Sequence, residues 1–386
     1  MSKEIKVMKK VVVAMSGGVD SSLAAALLKE EGYEVIGVSM RLFCYHNSKL
    51  HEKSCCSFEA IEGARAVCDK LKIPHYVIDL SFEFERVVIE NFCQEYLKGK
   101  TPNPCIVCNT VIKFSKVLEK AKSWGADFLA TGHYARIVHP VRDLLLRNEA
   151  FSNGVKNGEQ YRLFKGVDRS KDQSYALWGL TQKTMSNILF PLGNLTKEEV
   201  RNKARKLGLK TANKAESQEI CFIPDNNYGE FLRSRGGKFN APTHPVSPGQ
   251  IVDKSGKILG EHKGIAFYTI GQRSGLGIAI GKPLYVIRID GEKNQIYVGE
   301  DKDLYQNKLI ASQLNWLRGV GPRNSFQAEV KIRYLHPATL ATITPLAKDK
   351  VSVVFAEPQR AITPGQSVVF YRGEEVIGGG IIESKK

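Results

Sequence analysis

The sequence lacks long apolar runs and any pattern that would send the chain into or across a membrane. No apolar run in the 386 residues approaches the length that spans a bilayer. The opening segment MSKEIKVMKK precedes only five apolar residues, which argues against a signal peptide. We therefore expect a cytoplasmic protein with no membrane partner. In that reducing compartment, the eight cysteines favour catalysis or metal binding over structural disulfides.

Acidic residues are scarce relative to basic ones. Asp and Glu number 40 against 56 Lys and Arg, which gives a formal net charge of +16. Such an excess favours a polyanionic partner, although a generally basic proteome produces it too. The segment Lys197–Lys214 concentrates seven basic residues and two acidic ones. Thr196 and Glu199 match a capping box at its start, which predicts a basic helix that either contacts phosphates or faces solvent.

The first strand–loop–helix unit lacks both common nucleotide-binding signatures. Residues 11–15 predict a buried strand, 21–31 a helix and 34–40 the next strand, with a Ser-Gly-Gly loop at 16–18. The loop has neither the Gly-Lys-Ser/Thr ending of a kinase or GTPase loop nor the GxGxxG of a dinucleotide fold. Glycines, hydroxyls and a helix start nevertheless coincide at the carboxyl edge of a predicted sheet. This coincidence favours phosphate binding over a plain turn.

Strand and helix patterns alternate up to about residue 200 and then give way to β-rich sequence. Stretches 75–80 and 126–135 predict further strands, so we expect an α/β fold with a parallel sheet covered on both faces. Internal repeats are absent. We predict a catalytic domain at 1–225, a small β-rich central domain at 226–302 and a C-terminal antiparallel β-barrel or sandwich at 303–386.

Two cysteines form the single C-x-x-C pair of the segment KGKTPNPCIVCNTVIKF. Pro102 and Pro104 argue against a helix at this point, and Asn109 is a good N-cap, so we expect a helix to begin there. Cys108 would then lie at a helix N-terminus, where the helix dipole stabilises a thiolate. Cys105, three residues earlier, completes the pair. A lone pair leaves a zinc site two ligands short and is equally typical of redox chemistry.

The remaining cysteines carry weaker signals. Cys221 in AESQEICFIP is isolated, and its sequence context alone favours a buried, inert thiol. A zinc site is conceivable in a second group, although its spacing lacks another C-x-x-C. That group comprises Cys44, His46, His51, Cys55 and Cys56.

Seven segments, taken together, carry a family resemblance. The segment SGGVDSS resembles the PP-loop of the ATP pyrophosphatases, which cleave ATP between the α and β phosphates and have an adenine nucleotide alpha hydrolase-like sheet. The seven segments extend over nearly the whole chain. Their sequences and their order resemble those of the tRNA 2-thiouridylases, which make 2-thiouridine at the wobble position. The segments are AMSGGVDSS, GKTPNPCIVCNTVIKF, TGHYAR, KDQSY, ESQEICFIP, YTIGQRSGLGI and IRYLHP.

The resemblance implies roles for individual residues. The implied catalytic residues are Cys108 and Cys221, the second as carrier of a persulfide. The implied ATP-binding residues are Ala14, Met15, Ser16, Gly17, Gly18, Val19, Asp20, Ser21, Met40 and Gly132. The implied contacts to the target base are Asn103, Pro104 and Cys105. The implied tRNA-binding residues are His133, Lys171, Asp172, Gln173, Arg333, Tyr334 and Gln366.

The resemblance also implies cofactors and partners. ATP would arrive with Mg²⁺, for which Asp20 is a possible ligand. The partners would be a tRNA with a wobble uridine and a persulfide donor or relay protein, and we expect a monomer.

The resemblance leaves two points open. Some family members have aspartate at the position of Cys105, so the role of this third thiol is undecided. Either Cys221 carries a persulfide and ends in a disulfide with Cys108, or all three cysteines hold an iron–sulfur cluster. We expect the persulfide route because two thiols suffice for it. The competing functions are a PP-loop amidoligase and a non-catalytic tRNA- or cluster-binding protein.

Overall fold

The structure is a computed structural model that describes most of the chain. The described ranges are 8–43, 58–138, 160–214, 220–223, 227–235, 246–278, 281–347 and 349–383. The conceivable zinc group of Cys44, His46, His51, Cys55 and Cys56 lies outside them. Within these ranges, no helix combines the length and the apolar character needed to cross a membrane.

The secondary structure divides into an α/β part and a β part. The strands are β1 Lys10–Ala14, β2 Glu34–Arg41, β3 His75–Asp79, β4 Phe128–Ala130, β5 Ala135–Val138, β6 Arg162–Lys165, β7 Ile188–Leu189, β8 Gly249–Val252, β9 Ile258–His262, β10 Tyr285–Asp290, β11 Gln295–Gly299, β12 Tyr305–Trp316, β13 Phe326–Lys331, β14 Thr339–Leu346, β15 Lys350–Arg360, β16 Ser367–Arg372 and β17 Glu375–Ile382. The α-helices are α1 Val19–Glu30, α2 Phe58–Leu71, α3 Ser81–Phe84 continued by π-helical Glu85–Ile89 and by Glu90–Leu97, α4 Pro104–Val107 continued by π-helical Cys108–Val117 and by Leu118–Ser123, α5 Gln182–Met185, α6 Lys197–Lys206 and α7 Tyr228–Arg235.

The N-terminal sheet is parallel throughout, with strand order β3-β2-β1-β4-β7. Strand β1 alternates between its two faces. Val11 and Val13 pack into one apolar cluster with α1, α2 and α6, whereas Val12 and Ala14 pack into another with α3 and α4. Both faces are therefore buried, which confirms the predicted α/β fold.

One predicted strand was wrong. The stretch 126–135 does not form a single strand, because β4 ends at Ala130 and β5 begins at Ala135. The backbone passes so close to α1 here that a Cβ atom on Gly132 would lie 2.8 Å from the Cβ atom of Asp20. The chain leaves the sheet here and approaches α1, and this places Thr131–Tyr134 at the carboxyl edge of the sheet.

The middle part is a four-stranded sheet with the order β10-β11-β8-β9. Strands β10 and β11 form an antiparallel hairpin, and Asn294 in its turn has a φ of 50°. Its core is a separate apolar cluster that includes Ile251, Val286 and Ile296, all fully buried. The middle part therefore has a core of its own.

The C-terminal part is a closed antiparallel barrel. Strands β12-β15-β14-β13-β16-β17 follow one another, and a second pairing between β12 and β17 closes the ring. This confirms a barrel rather than a sandwich. Closure leaves these six strands with few open edges.

A hairpin from the N-terminal part extends the barrel sheet. Strand β6 pairs with the start of β17, where Phe164 lies opposite Glu375. The Glu375 carboxylate is buried and accepts hydrogen bonds from Arg162 at 2.6 Å and from Arg318 at 2.9 Å. These groups join the α/β part to the barrel through a sheet and a buried ion-pair network.

Candidate active site

The loop after β1 has the geometry of a phosphate site. Gly17 has a φ of 67°, and a Cβ atom there would lie 2.1 Å from the carbonyl oxygen of Ala60, so only glycine fits. Gly18 precedes α1 as its N-cap and has no side chain with which to cap it. No side chain of Gly18 caps the N–H groups in the first turn of α1. These groups point toward the loop and can bind an anion.

Serine hydroxyls fix the shape of this loop. The Ser16 N–H donates to the hydroxyl oxygen of Ser21 at 3.1 Å, and the Ser22 hydroxyl donates to the carbonyl oxygen of Gly18 at 2.8 Å. From the next strand, Ser39 donates to the carbonyl of Met15 at 3.1 Å. The loop is thus held in place by its own side chains before any ligand binds.

The other expected nucleotide contacts lie at the same sheet edge. A Cβ atom on Gly132 would also lie 2.9 Å from the backbone nitrogen of Ser21, so the β4 loop touches the start of α1. Met40 is nearly buried near the carboxyl end of β2, two residues beyond Val38, which pairs with Ala14. The structure therefore brings the expected ATP-binding residues together at one edge.

Asp20 in the first turn of α1 is held by two residues that the sequence did not identify. The Lys197 ammonium donates to both carboxylate oxygens at 2.8 Å, and the Tyr134 hydroxyl donates to one of them at 2.7 Å. Lys197 is the first residue of α6, and the predicted capping box of Thr196 and Glu199 is present there. The capping box could predict that Lys197 lies at the start of a helix. It could not predict that Asp20 is the partner of Lys197.

The expected tRNA-binding run Lys171–Gln173 is tied to Tyr134. The Tyr134 N–H donates to Oε1 of Gln173, and the Gln173 N–H donates to the carbonyl of Tyr134, both at 2.9 Å. Asp172 is buried and accepts from the N–H groups of Gly166 and Ser174. Asp172 and Gln173 thus stabilise the turn in this structure, whereas Lys171 is half-exposed. Contact of these three residues with tRNA stays a prediction.

The cysteine segment differs from the prediction at its helix start. Helix α4 begins at Pro104, and the side chain of Asn103 caps it by accepting the N–H of Cys105 at 3.1 Å. Proline is well tolerated at the first helical position because the missing N–H would have no partner there. Cys108 therefore lies one turn inside the helix, and Cys105 instead lies in the first turn. The predicted dipole activation of Cys108 was wrong.

The Cys105 thiol lies in the first turn of α4, near the ammonium group of Lys113. Its side chain is exposed, yet desolvation by surrounding atoms raises the pKa of Cys105, while the nearby Lys113 ammonium lowers it. Because the side chain is exposed in the first turn of α4, a substrate group can reach the Cys105 thiol from solvent.

His133 is a buried neutral side chain. Its ring packs between Phe114 and Phe190, with ring centroids 5.6 and 5.7 Å away, and Nδ1 lies 2.7 Å from the Thr131 hydroxyl. Burial, together with the Lys113 ammonium, holds the pKa of His133 well below its usual value. The ring is therefore uncharged near neutral pH, and its expected contact with tRNA stays a prediction.

Cys108 and Cys221 border the same apolar cluster. Cys108 is buried within it, and the half-buried Cys221 packs against it beside Phe222. Both cysteines are reduced in this structure. Within the described ranges, no three His, Cys, Asp or Glu side chains are grouped to hold a metal ion. The iron–sulfur alternative on Cys105, Cys108 and Cys221 therefore has no structural support.

All three parts of the chain meet at Thr101, just before the cysteine segment. Its N–H donates to the carbonyl of Pro364 at 2.9 Å, and its carbonyl accepts from the Gln366 side chain at 2.8 Å. Its hydroxyl donates to that of Thr269 in the middle part at 3.1 Å. The barrel and the middle part therefore both position the backbone that leads to Cys105. Gln366, an expected tRNA contact, contacts Thr101 in this structure.

The other expected contacts on the barrel lie close to this junction. Arg333 is half-buried and donates to the carbonyl of Arg360 at 2.9 Å, and burial lowers its pKa. Tyr334 is exposed, and its ring lies 6.2 Å from that of Tyr175. Both lie beside the buried Tyr175 of the α/β part, and their contact with tRNA stays a prediction.

Comparison with known sequences identifies the family. A profile described as the tRNA methyl transferase HUP domain matches residues 9–225. The tRNA-specific 2-thiouridylase MnmA of Carboxydothermus hydrogenoformans is 51% identical over 98% of both chains. That of Acetivibrio thermocellus is 49% identical over 97% of this chain and 99% of its own. This chain belongs to the tRNA-specific 2-thiouridylase family.

The rest of the chain matches family profiles as well. A PRC-barrel domain profile matches residues 238–300, and an aminomethyltransferase beta-barrel domain profile matches residues 306–382. A solved 4-thiouridine synthetase–RNA complex with bound ATP is 16% identical, covers 60% of this chain and 51% of its own, and superposes with a TM-score of 0.34. The family assignment therefore rests on the sequence relatives.

Proposed function

We propose that this protein is an ATP-dependent tRNA-uridine 2-sulfurtransferase that converts the wobble uridine to 2-thiouridine. The observation that carries the proposal is sequence similarity: over nearly its full length, the chain is 51% and 49% identical to proteins named tRNA-specific 2-thiouridylase. A phosphate loop and reduced cysteines within the same domain support it. The family profile is named for methyl transfer, but a phosphate loop and thiols in one domain suit adenylation followed by sulfur transfer.

The first step uses the nucleotide edge of the sheet. The N–H groups at the start of α1 bind phosphate oxygens, while the loop from Ala14 to Ser21, with Met40 and Gly132, encloses the nucleotide. Uridine O2 attacks the α-phosphorus, the bond to the β-phosphate breaks, and pyrophosphate leaves. The oxygen then carries AMP, which makes it a good leaving group.

Magnesium would enter this site with the ATP phosphates. Both oxygens of Asp20 accept from Lys197 in this structure, so one carboxylate oxygen would have to exchange that partner for the ion. Mg²⁺ commonly binds through one or two carboxylates and the substrate phosphates, and a single Asp fits that pattern. The ion would neutralise charge on the phosphates.

The second step uses the thiols. Cys221 carries a persulfide, and its terminal sulfur attacks C2 of the adenylated uridine, from which AMP leaves. The Cys108 thiolate then attacks the inner sulfur of Cys221 and breaks its bond to the transferred sulfur, leaving 2-thiouridine and a Cys108–Cys221 disulfide. Alternatively, the same attack first releases hydrosulfide, which adds to C2. A thiol reductant restores both cysteines in either case.

The remaining assignments follow from the same proposal. The base leaves its stack and contacts Asn103, Pro104 and Cys105. The tRNA lies across Lys171–Gln173, His133 and the barrel residues Arg333, Tyr334 and Gln366. The three domains span 1–225, 226–302 and 303–386. We further propose a cytoplasmic monomer supplied by a persulfide donor or relay protein, since reactive thiols persist in a reducing compartment.

The proposal is tested by the modification state of tRNA. Wobble 2-thiouridine should disappear, by mass spectrometry of bulk tRNA, from cells that lack the gene and return when it is restored. Purified protein should release pyrophosphate only when both tRNA and ATP are present. Unchanged 2-thiouridine in the deleted strain would reject the function, and turnover with ammonia in place of the persulfide donor would favour an amidoligase.

A further inference from the structure

We propose that Lys197 and Lys214 form a cationic wall of the nucleotide site and bind the β- and γ-phosphates of ATP, which leave as pyrophosphate. The two lysines mark the ends of the basic segment Lys197–Lys214, whose purpose the sequence left open between phosphate contact and a solvated face. The inference rests on the proposed function and deepens it. It assigns two residues and a task that the family resemblance did not include.

Lys197 is placed at the mouth of the loop by its backbone and by its charge. Its N–H donates to the carboxylate of Asp168 at 2.9 Å, and its ammonium reaches Asp20 with only 11% of its side chain exposed. A carboxylate at the start of α1 would repel a triphosphate unless a cation neutralised it. The Lys197 ammonium does so and lies where phosphate oxygens must arrive.

Lys214 reaches the other end of the loop. Its ammonium donates to the carbonyl oxygen of Gly17 at 3.2 Å. Its backbone is tied to α6, because Arg201 donates to the carbonyls of Ala212 and Lys214. The Gly17 carbonyl is neutral, so this contact does not neutralise the positive charge of Lys214. The loop therefore has a cation at both ends.

The position of the wall indicates which phosphates it binds. Helix α6 packs through Val200 and Ala204 into the cluster on one face of the sheet, whereas Ile106 and Cys108 of α4 belong to the cluster on the other face. In phosphoryl transfer the attacking and leaving oxygens lie roughly in line across the phosphorus. If uridine O2 approaches from the cysteine side, pyrophosphate leaves toward α6, where the two ammonium groups offset its charge.

The test compares ATP with AMP, since AMP has no β- or γ-phosphate. Dissociation constants are measured by calorimetry without tRNA for the full chain and for Lys197→Ala and Lys214→Ala. Each variant should bind ATP roughly 10- to 100-fold more weakly, the size expected for one charged hydrogen bond, and AMP as the parent does. Lys206→Ala is the matched control, because it removes the same charge from an exposed position of the same segment.

Three outcomes would overturn the inference. They are unchanged ATP binding in both variants, an equal loss of ATP and AMP binding, and an equal effect of Lys206→Ala. Lys197→Ala leaves Asp20 without its ion pair and can lower stability, but Lys214 is exposed, so Lys214→Ala keeps the test decisive. A parent protein that binds ATP but never thiolates tRNA would reject the proposed function and leave this comparison valid.

Discussion

Cys105, Cys108 and Cys221 differ in their surroundings, and we expect them to differ in function. Cys108→Ser and Cys221→Ser should each abolish thiolation, since serine cannot form a persulfide or a disulfide, while ATP binding survives. Cys105→Asp should keep substantial activity, because some family members have aspartate at this position and the exposed Cys105 is not assigned to the sulfur chemistry. The readout is 2-thiouridine formed in vitro, measured by mass spectrometry. An inactive Cys105→Asp protein that binds ATP normally would contradict this division.

His133 should make stability depend on pH. Its pKa in the folded protein lies well below the value of about 6.5 in an unfolded chain, so below that pH the unfolded state binds a proton that the folded state does not. The free energy of unfolding should therefore fall as the pH drops from about 6.5 toward the folded pKa, by at most about 1.4 kcal/mol per pH unit. His133→Gln should lose less stability than the parent between about pH 7.5 and about pH 5.5 in urea titrations. Parallel pH curves for the two proteins would rule out a neutral buried His133.

At the scale of elements, the conformation of the loop between β1 and α1 depends more on Gly17 than on Gly18. Gly17→Ala places a Cβ atom against the carbonyl of Ala60 and forces a residue with a side chain to a φ of 67°. We expect it to cost at least about 2 kcal/mol of stability, from left-handed strain together with the clash. Gly18→Ala is the control, because its Cβ atom would lie 3.4 Å from the nearest heavy atom, the hydroxyl oxygen of Ser16. Equal urea midpoints for the two variants would contradict the steric argument.

Local signals predicted elements well where no distant contact interfered. The capping box of Thr196 and Glu199 set the start of α6 correctly, because a capping box is made within one helical turn. Pro104 misled the prediction, since proline suits both an extended segment and the first helical position, and the capping bond of Asn103 decided between them. Gly132 contacts the start of α1, which is distant in sequence. The local sequence pattern around Gly132 contains no information about such a contact.

The candidate site divides in the same way. The phosphate loop was predictable because its glycines, its hydroxyls and the start of its helix lie within the seven residues of SGGVDSS, 16–22. The bonds of Asp20 to Lys197 and Tyr134 join residues more than 110 positions apart. No periodicity or spacing rule reports such pairs, so the sequence could identify the loop but not its counter-charge.

At the scale of the whole molecule, Glu375 and Glu374 should contribute unequally to the contact between the α/β part and the barrel. The Glu375 side chain is 5% exposed between Arg162 and Arg318, and Glu375→Ala leaves two arginines without their partner. Only Glu375 is buried, since Arg162 and Arg318 are 43% and 46% exposed, so the loss of its charged hydrogen bonds should cost about 1.5–3 kcal/mol. The adjacent Glu374 is 48% exposed, so Glu374→Ala should cost about 1 kcal/mol or less. Similar losses in urea unfolding would show that the buried network does not hold these parts together.

The central claim is that one protein couples α–β cleavage of ATP to the transfer of a cysteine-borne sulfur. It is tested most directly by a single-turnover reaction of the full chain, loaded with isotopically labelled persulfide, with tRNA and ATP and without added reductant. We expect labelled 2-thiouridine at the wobble position, equal amounts of AMP and pyrophosphate, and a new Cys108–Cys221 disulfide. Formation of ADP, or labelled thiouridine from a Cys221→Ser protein, would contradict it.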